Sequence, residues 1–291
     1  MKRVLLVGAS GFLGQHICYL SLKSDKQIWG TFCTNTPFVK GVHYVKLDLC
    51  NPEHMELLIS HVLPDTVVFC AAVSSPEVCE KDPGLTDWIN RDAPLNTARI
   101  CAKENIRFIF TSSDLVFDGS GAPYRETDPV SPVNAYGRQK AEAEKQILCA
   151  CPDALVCRMP LMYGTFSESK NFTSAMIRAI KEKKTVSLFY DEYRTPISAI
   201  SAADFLLNTP DHIKGILHLG GKQRISRYDF GVLTAKIFGL DRSFIKPVSQ
   251  SEITTTARRP ADVSLSSEKA YAIGFSPGLI EDELLKMAGK I

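Results

Sequence analysis

Tyr136-Gly137-Arg138-Gln139-Lys140 opens a helical pattern that runs to Leu148. Positions i and i+4 share one helix face, about 6 Å apart along the axis. An ammonium held there stabilises a phenolate and lowers the phenol's pKa. A phenol near pKa 10 then becomes an acid or base usable near neutral pH. Alone, the spacing is common and favours a surface Tyr and Lys on an amphipathic helix. A second motif upstream changes that balance.

Gly8-Ala9-Ser10-Gly11-Phe12-Leu13-Gly14 follows an apolar run and opens a helical stretch. Glycines at this spacing serve a tight turn, a close backbone approach to a pyrophosphate, and helix-on-strand packing. Free amides at the helix start face the anion. The pattern therefore predicts dinucleotide binding. A third piece is Thr111-Ser112-Ser113-Asp114, just after a predicted strand. A hydroxyl at the C-terminal edge of a parallel strand points into the ligand crevice. Ser113 suits a hydrogen bond to a substrate carbonyl, and spacing alone does not choose among Thr111, Ser112 and Ser113.

These residues need a scaffold that brings them together. Apolar runs at 3–7, 27–32, 43–47, 66–70, 107–111 and 154–158 predict strands. Helical spacing lies between them at 12–22, 52–62 and 87–104. The alternation predicts an α/β fold, a doubly wound parallel (Rossmann) sheet with helices on both faces. Val4-Leu5-Leu6-Val7 and Thr66-Val67-Val68-Phe69-Cys70 have the unbroken apolar character of strands covered on both sides. After about residue 160 the alternation weakens. Helices are predicted at 172–182, 202–207, 227–238 and 280–288, with loops at 163–170 and 245–267. The reading is a cofactor domain over 1–160 and a smaller C-terminal substrate-binding lobe over 161–291, with the chain crossing between them.

Composition narrows the function classes. The 291 residues are 45% apolar and 23% charged, which excludes a disordered chain, a collagen and a small disulfide scaffold. A formal charge of +2 gives no reason to expect nucleic acid or an anionic membrane as partner. The nine cysteines are odd in number and several fall inside apolar runs, as buried thiols in a reducing compartment do. Cys149-Ala150-Cys151 lacks the spacing and histidine partners of a zinc site, so no metal is expected. The N-terminal apolar run is too short for a secretory signal, and none approaches the roughly 18 residues that span a bilayer. The cytoplasm is the expected location.

The second strand bears on cofactor choice. An acid at its end would bond the ribose hydroxyls and repel a 2′-phosphate. Gly30-Thr31-Phe32-Cys33-Thr34-Asn35-Thr36 has no acid, which favours NADP. It has no arginine either, so NAD stays open, with Thr34, Thr36 or Lys40 as substitute phosphate partners.

Taken together, these motifs resemble an extended short-chain dehydrogenase/reductase. The stretch from Ser112 to Gly119 (Ser-Ser-Asp-Leu-Val-Phe-Asp-Gly) resembles the dTDP-4-dehydrorhamnose reductase family more narrowly. So do Pro123-Tyr124-Arg125-Glu126-Thr127-Asp128, Ser131-Pro132-Val133-Asn134-Ala135-Tyr136-Gly137 and Arg259-Pro260-Ala261-Asp262-Val263-Ser264-Leu265. The same pattern resembles the regulatory beta subunit of methionine adenosyltransferase, an NADP-binding partner protein.

The resemblance implies roles residue by residue. Ser113, Tyr136 and Lys140 would be catalytic, with Lys140 also holding the nicotinamide ribose. Gly8, Ser10, Gly11, Phe12, Leu13, Gly14, Cys70, Ala71, Ala72, Thr111 and Pro160 would line the cofactor. Asp48 and Leu49 would lie near the adenine, and Asn90 would shape the pocket. Asp114, Val116, Phe117, Arg194 and Arg259 would contact the substrate, with Arg259 the better phosphate partner. The implied activity is NAD(P)H-dependent reduction of a 4-keto nucleotide sugar, in dTDP-rhamnose biosynthesis. A sugar-nucleotide epimerase or dehydratase and a non-catalytic regulatory subunit are the alternatives. Outer helices could support a homodimer.

Overall fold

A computed structural model describes residues 2–164 and 171–289. β1 (Arg3–Val7), α1 (Phe12–Ser21), β2 (Gln27–Phe32), β3 (His43–Lys46), α2 (Pro52–Val62) and β4 (Thr66–Phe69) follow the expected alternation. α3 (Pro76–Lys81) comes next, and the run expected as one helix at 87–104 is continuous: α4 (Pro83–Asp87), a π-helical turn at Trp88–Asp92 and α5 (Ala93–Lys103) follow one another with right-handed helical backbone at both junctions. β5 (Arg107–Ser113), α6 (Ala135–Ala150) and β6 (Leu155–Met159) come next. Beyond them lie β7 (Met162–Tyr163), α7 (Phe172–Lys181), β8 (Val186–Phe189), β9 (Tyr193–Arg194), β10 (Ile197–Ser198) and α8 (Ala199–Asn208). The chain ends with β11 (Gly215–His218), β12 (Ile225–Ser226), α9 (Arg227–Ile237), β13 (Ile245–Val248), α10 (Glu268–Ala272) and α11 (Ile280–Ala288).

Seven strands form one sheet in the order β11-β6-β5-β4-β1-β2-β3, and every pair is parallel. The winding direction reverses between β1 and β4, where Val7 lies opposite Phe69. Ligands of doubly wound sheets bind outside the strand ends at such a reversal. Alternate residues of each strand feed two cores. Leu6, Val68 and Ile109 pack with Leu13 and Ile17 of α1 and Leu206 of α8. Leu5, Phe69 and Phe110 pack with Leu58 of α2, Cys101 of α5 and Ile147 of α6. Each fully buried side chain of this size contributes about 1.5–3 kcal/mol.

The division at residue 160 is crossed by the chain itself. β11 adds the edge strand beside β6, and α8 supplies much of the layer over α1. The expected loop at 245–267 is corrected at its start: Ile245–Val248 pairs in parallel with β8 because Ile245 and Leu188 share a core with Met176 and Ala235. In the other expected loop, residues 165–170 lie outside the described ones.

α6 is anchored to β6 by a buried ion pair. Arg158 grips both oxygens of Glu144 through Nε at 3.1 Å, and Nη2 donates at 2.8 Å. The Nδ1 of His218 faces two carbonyls, Tyr124 and Ser266, at 3.2 Å each. That fixes the proton on Nδ1 and leaves Nε2 to accept from Arg158 at 3.2 Å.

Candidate active site

The glycine loop leaves β1 at the reversal point. Gly8 takes φ +93°, and a Cβ on Gly14 would stand 2.3 Å from the Gly8 carbonyl oxygen. No side chain fits there, which is the reason for both glycines. Gly11 caps α1 without a side-chain hydrogen bond. The first-turn amides of α1 therefore keep their donors free, at the positive end of the helix. This bare helix start borders a cavity of about 460 Å³. The arrangement fits a pyrophosphate of a dinucleotide.

Tyr136, Lys140 and Ser113 border the same cavity. Lys140 is 1% exposed, donates from Nζ to the Thr111 carbonyl at 2.8 Å, and lies 4.2 Å from the Phe110 ring centroid. Burial lowers its pKa to about 8. The expected lowering of the phenol is not what this cavity produces. Burial raises Tyr136, the Asp114 charge adds to the rise, and the Ser113 hydroxyl opposes it. The physical reason is desolvation of the phenol itself, with Lys140 Nζ 6.0 Å from the Tyr136 ring centroid. The hydroxyls are now distinct. Thr111 donates to the Phe69 carbonyl at 3.1 Å, Ser113 donates to Asp114 at 3.2 Å, and Ser112 Oγ is buried without a partner.

The start of α6 is held from several sides. Asn134 caps it, accepting from the Gly137 N–H at 2.9 Å. A Cβ on Gly137 would lie 2.1 Å from the Leu115 carbonyl oxygen, so only glycine permits this close approach. Asn90, in the π-helical turn, is fully buried. It accepts from the Val73 N–H at 2.9 Å and donates to the Val73 carbonyl at 3.0 Å and to Gln139 at 2.7 Å.

Charge gathers at one side of the cavity. Arg194 Nη1 is 3.2 Å from Asp114 Oδ2 and Nη2 is 3.1 Å from Glu192 Oε1, with all three side chains buried. Arg259 pairs with Glu77 at 2.5 Å and stands 3.7 Å from Glu192 Oε2. Arg227 lies over the Phe172 ring at 3.7 Å. Burial works against ionising Glu192, but Arg194, Arg227 and Arg259 outweigh it and hold its carboxyl below the ordinary range. Asp114 is raised by burial, which the Arg194 charge only partly offsets. Burial lowers Arg227 to about 10, so it stays cationic near neutral pH.

The cavity thus brings together Gly11, Phe12, Leu13, Gly14, Cys70, Ala72, Thr111, Ser113, Asp114, Tyr136, Lys140, Pro160, Arg194 and Arg259 of the expected set. Gly8, Ser10 and Ala71 support the loop without bordering it. Asp48 and Leu49 follow the outermost strand, outside it: Asp48 accepts from the Cys50 N–H, and the Leu49 carbonyl accepts from Trp88. Val116 and Phe117 correct the expectation of substrate contact. Both are fully buried with Tyr124, Val263 and Leu265, and Phe117 stacks on Tyr124 at 4.0 Å. Glu192, Arg227 and Phe172 were not among the expected residues. Glu192 adjoins Arg194 in a segment already marked, whereas no motif flags Arg227 or Phe172.

A model of the RmlD substrate binding domain matches residues 1–288. The chain belongs to the RmlD substrate binding domain family. This RmlD-family chain is 28% identical to methionine adenosyltransferase 2 subunit beta of Xenopus laevis over 288 residues, covering 94% of the chain and 83% of the relative. It is 28% identical over 286 residues to the "probable low-salt glycan biosynthesis reductase Agl14" of Haloferax volcanii, covering 96% and 95%. The crystal structure of a dTDP-4-dehydrorhamnose reductase from Clostridium acetobutylicum superposes with a TM-score of 0.88 at 25% identity, covering 99% of each chain. Among the described residues of the RmlD-family chain, no cluster of metal-ligating side chains occurs, and no helix is long and apolar enough to cross a membrane.

Proposed function

We propose that this protein is an NAD(P)H-dependent reductase of a 4-keto nucleotide sugar. One observation carries the reading: a bare helix start, a buried Tyr136/Lys140/Ser113 group and an arginine-rich pole border a single cavity. The likeness to a dTDP-4-dehydrorhamnose reductase over the whole chain supports it. NADP is the preferred cofactor because no acid ends β2.

When bound, a reduced nicotinamide supplies the hydride to the carbonyl carbon. Gly11, Phe12, Leu13 and Gly14 would hold its pyrophosphate with backbone amides. Tyr136, kept protonated by its burial, gives its phenolic proton to the carbonyl oxygen. Its O–H bond breaks as the alcohol O–H forms, and the phenolate regains a proton from solvent. Ser113 turns its hydroxyl from Asp114 to polarise the carbonyl. Lys140 stabilises the phenolate and would offer its remaining N–H groups to the cofactor's ribose. Arg227 and Arg259 meet the sugar nucleotide's diphosphate. Reacting atoms must come within about 3–3.5 Å.

The test is spectrophotometric: NADPH and NADH oxidation measured in parallel against a panel of 4-keto nucleotide sugars. Turnover on one or more members supports the reading, and none across the panel overturns it. A second reading, a cofactor-binding regulatory subunit, is supported by the likeness to methionine adenosyltransferase 2 subunit beta. A stable complex with another enzyme, together with silence across the panel, would favour it.

A further inference from the structure

Among the described residues, three buried polar atoms without a hydrogen-bond partner belong to residues around this one cavity: Ser112 Oγ, Glu192 Oε2 and Arg259 Nε. Buried polar atoms are nearly always satisfied, so such a concentration marks where a polar ligand belongs. Glu192 is the most informative of the three. It is 1% exposed, and its Oε1 is taken by Arg194. Its Oε2 is 3.7 Å from Arg259, an ionic contact too long for a hydrogen bond. The arginines around it keep it charged. An ionised carboxylate only accepts, and it repels phosphate. What satisfies Oε2 must therefore be a neutral or cationic donor. Its location narrows the choice further. Through Arg194, Glu192 is linked to Asp114, the neighbour of Ser113, while Arg227 and Arg259 flank its other side. On the reductase reading that is the interval between the reacting carbonyl and the diphosphate, which the sugar ring would occupy.

We propose that Glu192 Oε2 accepts a hydrogen bond from a ring hydroxyl of the substrate's sugar, making Glu192 a specificity-determining residue. The proposal rests on the reductase reading and adds a requirement to it: the substrate keeps a hydroxyl at that position.

The test is calorimetric titration of the full chain, saturated with NADP, with dTDP-glucose and with dTDP. In Glu192→Gln the amide oxygen stays on Arg194, so an NH₂ replaces Oε2 and cannot accept. The expected result is about 10-fold or greater weakening for dTDP-glucose, with dTDP changed less than about 2-fold. Equal changes for both probes, or none for either, overturn the proposal and leave the reductase reading in place. Tightening of both assigns Glu192 to charge balance among the arginines and overturns it too. A wild-type chain that binds neither probe, nor the corresponding UDP and GDP compounds, overturns both the proposal and the reading. If the variant does not fold, wild type is titrated with dTDP-glucose analogues each lacking one ring hydroxyl. One analogue should lose about 10-fold or more in affinity, and a uniform series overturns the proposal.

Discussion

Asn90 donates to Gln139 at 2.7 Å across 49 positions of sequence. The bond joins the π-helical turn to the helix that carries Tyr136 and Lys140. Because Asn90 also makes two bonds to Val73, it fixes the loop after β4 against the start of α6. Asn90→Ala leaves buried backbone and amide groups unpaired and should cost about 2–4 kcal/mol in urea unfolding. Turnover should fall through kcat more than KM, since the variant shifts Tyr136 without touching the substrate. A fully stable variant would show that these bonds do not hold the turn in place.

Tyr136→Phe removes the proposed proton donor and keeps the ring. Turnover on any substrate the wild type reduces should drop about 10²–10⁴-fold. NADP binding, measured by fluorescence titration, should change little. Near-normal turnover would exclude Tyr136 as the acid.

Lys140 predicts opposite effects on activity and stability. Its charge is lost as pH rises through about 8, so kcat/KM should decline above that value. In the unfolded chain the same group titrates near 10.5, and so between 8 and 10.5 unfolding takes up a proton. Stability from this group is therefore lowest below pH 8 and rises through that window. Lys140→Met removes a burial cost of roughly 3 kcal/mol at pH 7, less about 1 for the lost bond to Thr111. The variant should be inactive and about 2 kcal/mol more stable at pH 7, with the gain vanishing towards pH 10.5. A destabilised variant at pH 7 would mean that the ammonium is not strained by its burial.

Arg194 balances two buried acids. Arg194→Met leaves Asp114 and Glu192 facing each other without a cation between them. A loss of about 3–5 kcal/mol is expected at pH 7, shrinking as the pH falls and the acids take up protons. Unfolding curves at pH 7 and pH 5 measure both parts, and equal losses at the two values would contradict the pairing.

The strand-and-helix alternation of the first 160 residues was readable because strands covered on both faces are unbroken apolar runs. The glycine loop was readable because close backbone contact demands glycine at fixed spacing. Three features were not. The π-helical turn widens one turn inside a continuous helix, and the bonds that hold Asn90 there come from residues distant in sequence. Val116 and Phe117 lie in a family-like segment, yet their side chains answer to packing on Tyr124 and Leu265. Arg227 and Phe172 reach the cavity through the way the later elements fold back, which no local spacing records. The phenol's pKa also misled, since desolvation outweighs a cation one helical turn away.

β11 has a consequence for how this polypeptide can be handled. Gly215–His218 covers the flank of β6, so a fragment ending at residue 160 would present the β6 backbone N–H and C=O groups to other molecules. Exposed strand edges of that kind recruit further strands and aggregate. α8 would be missing from the same fragment, baring apolar surface on α1. The first 160 residues cannot be cut free as an independent, well-behaved piece. Anyone swapping modules between relatives must carry residues 199–218 along with the first 160.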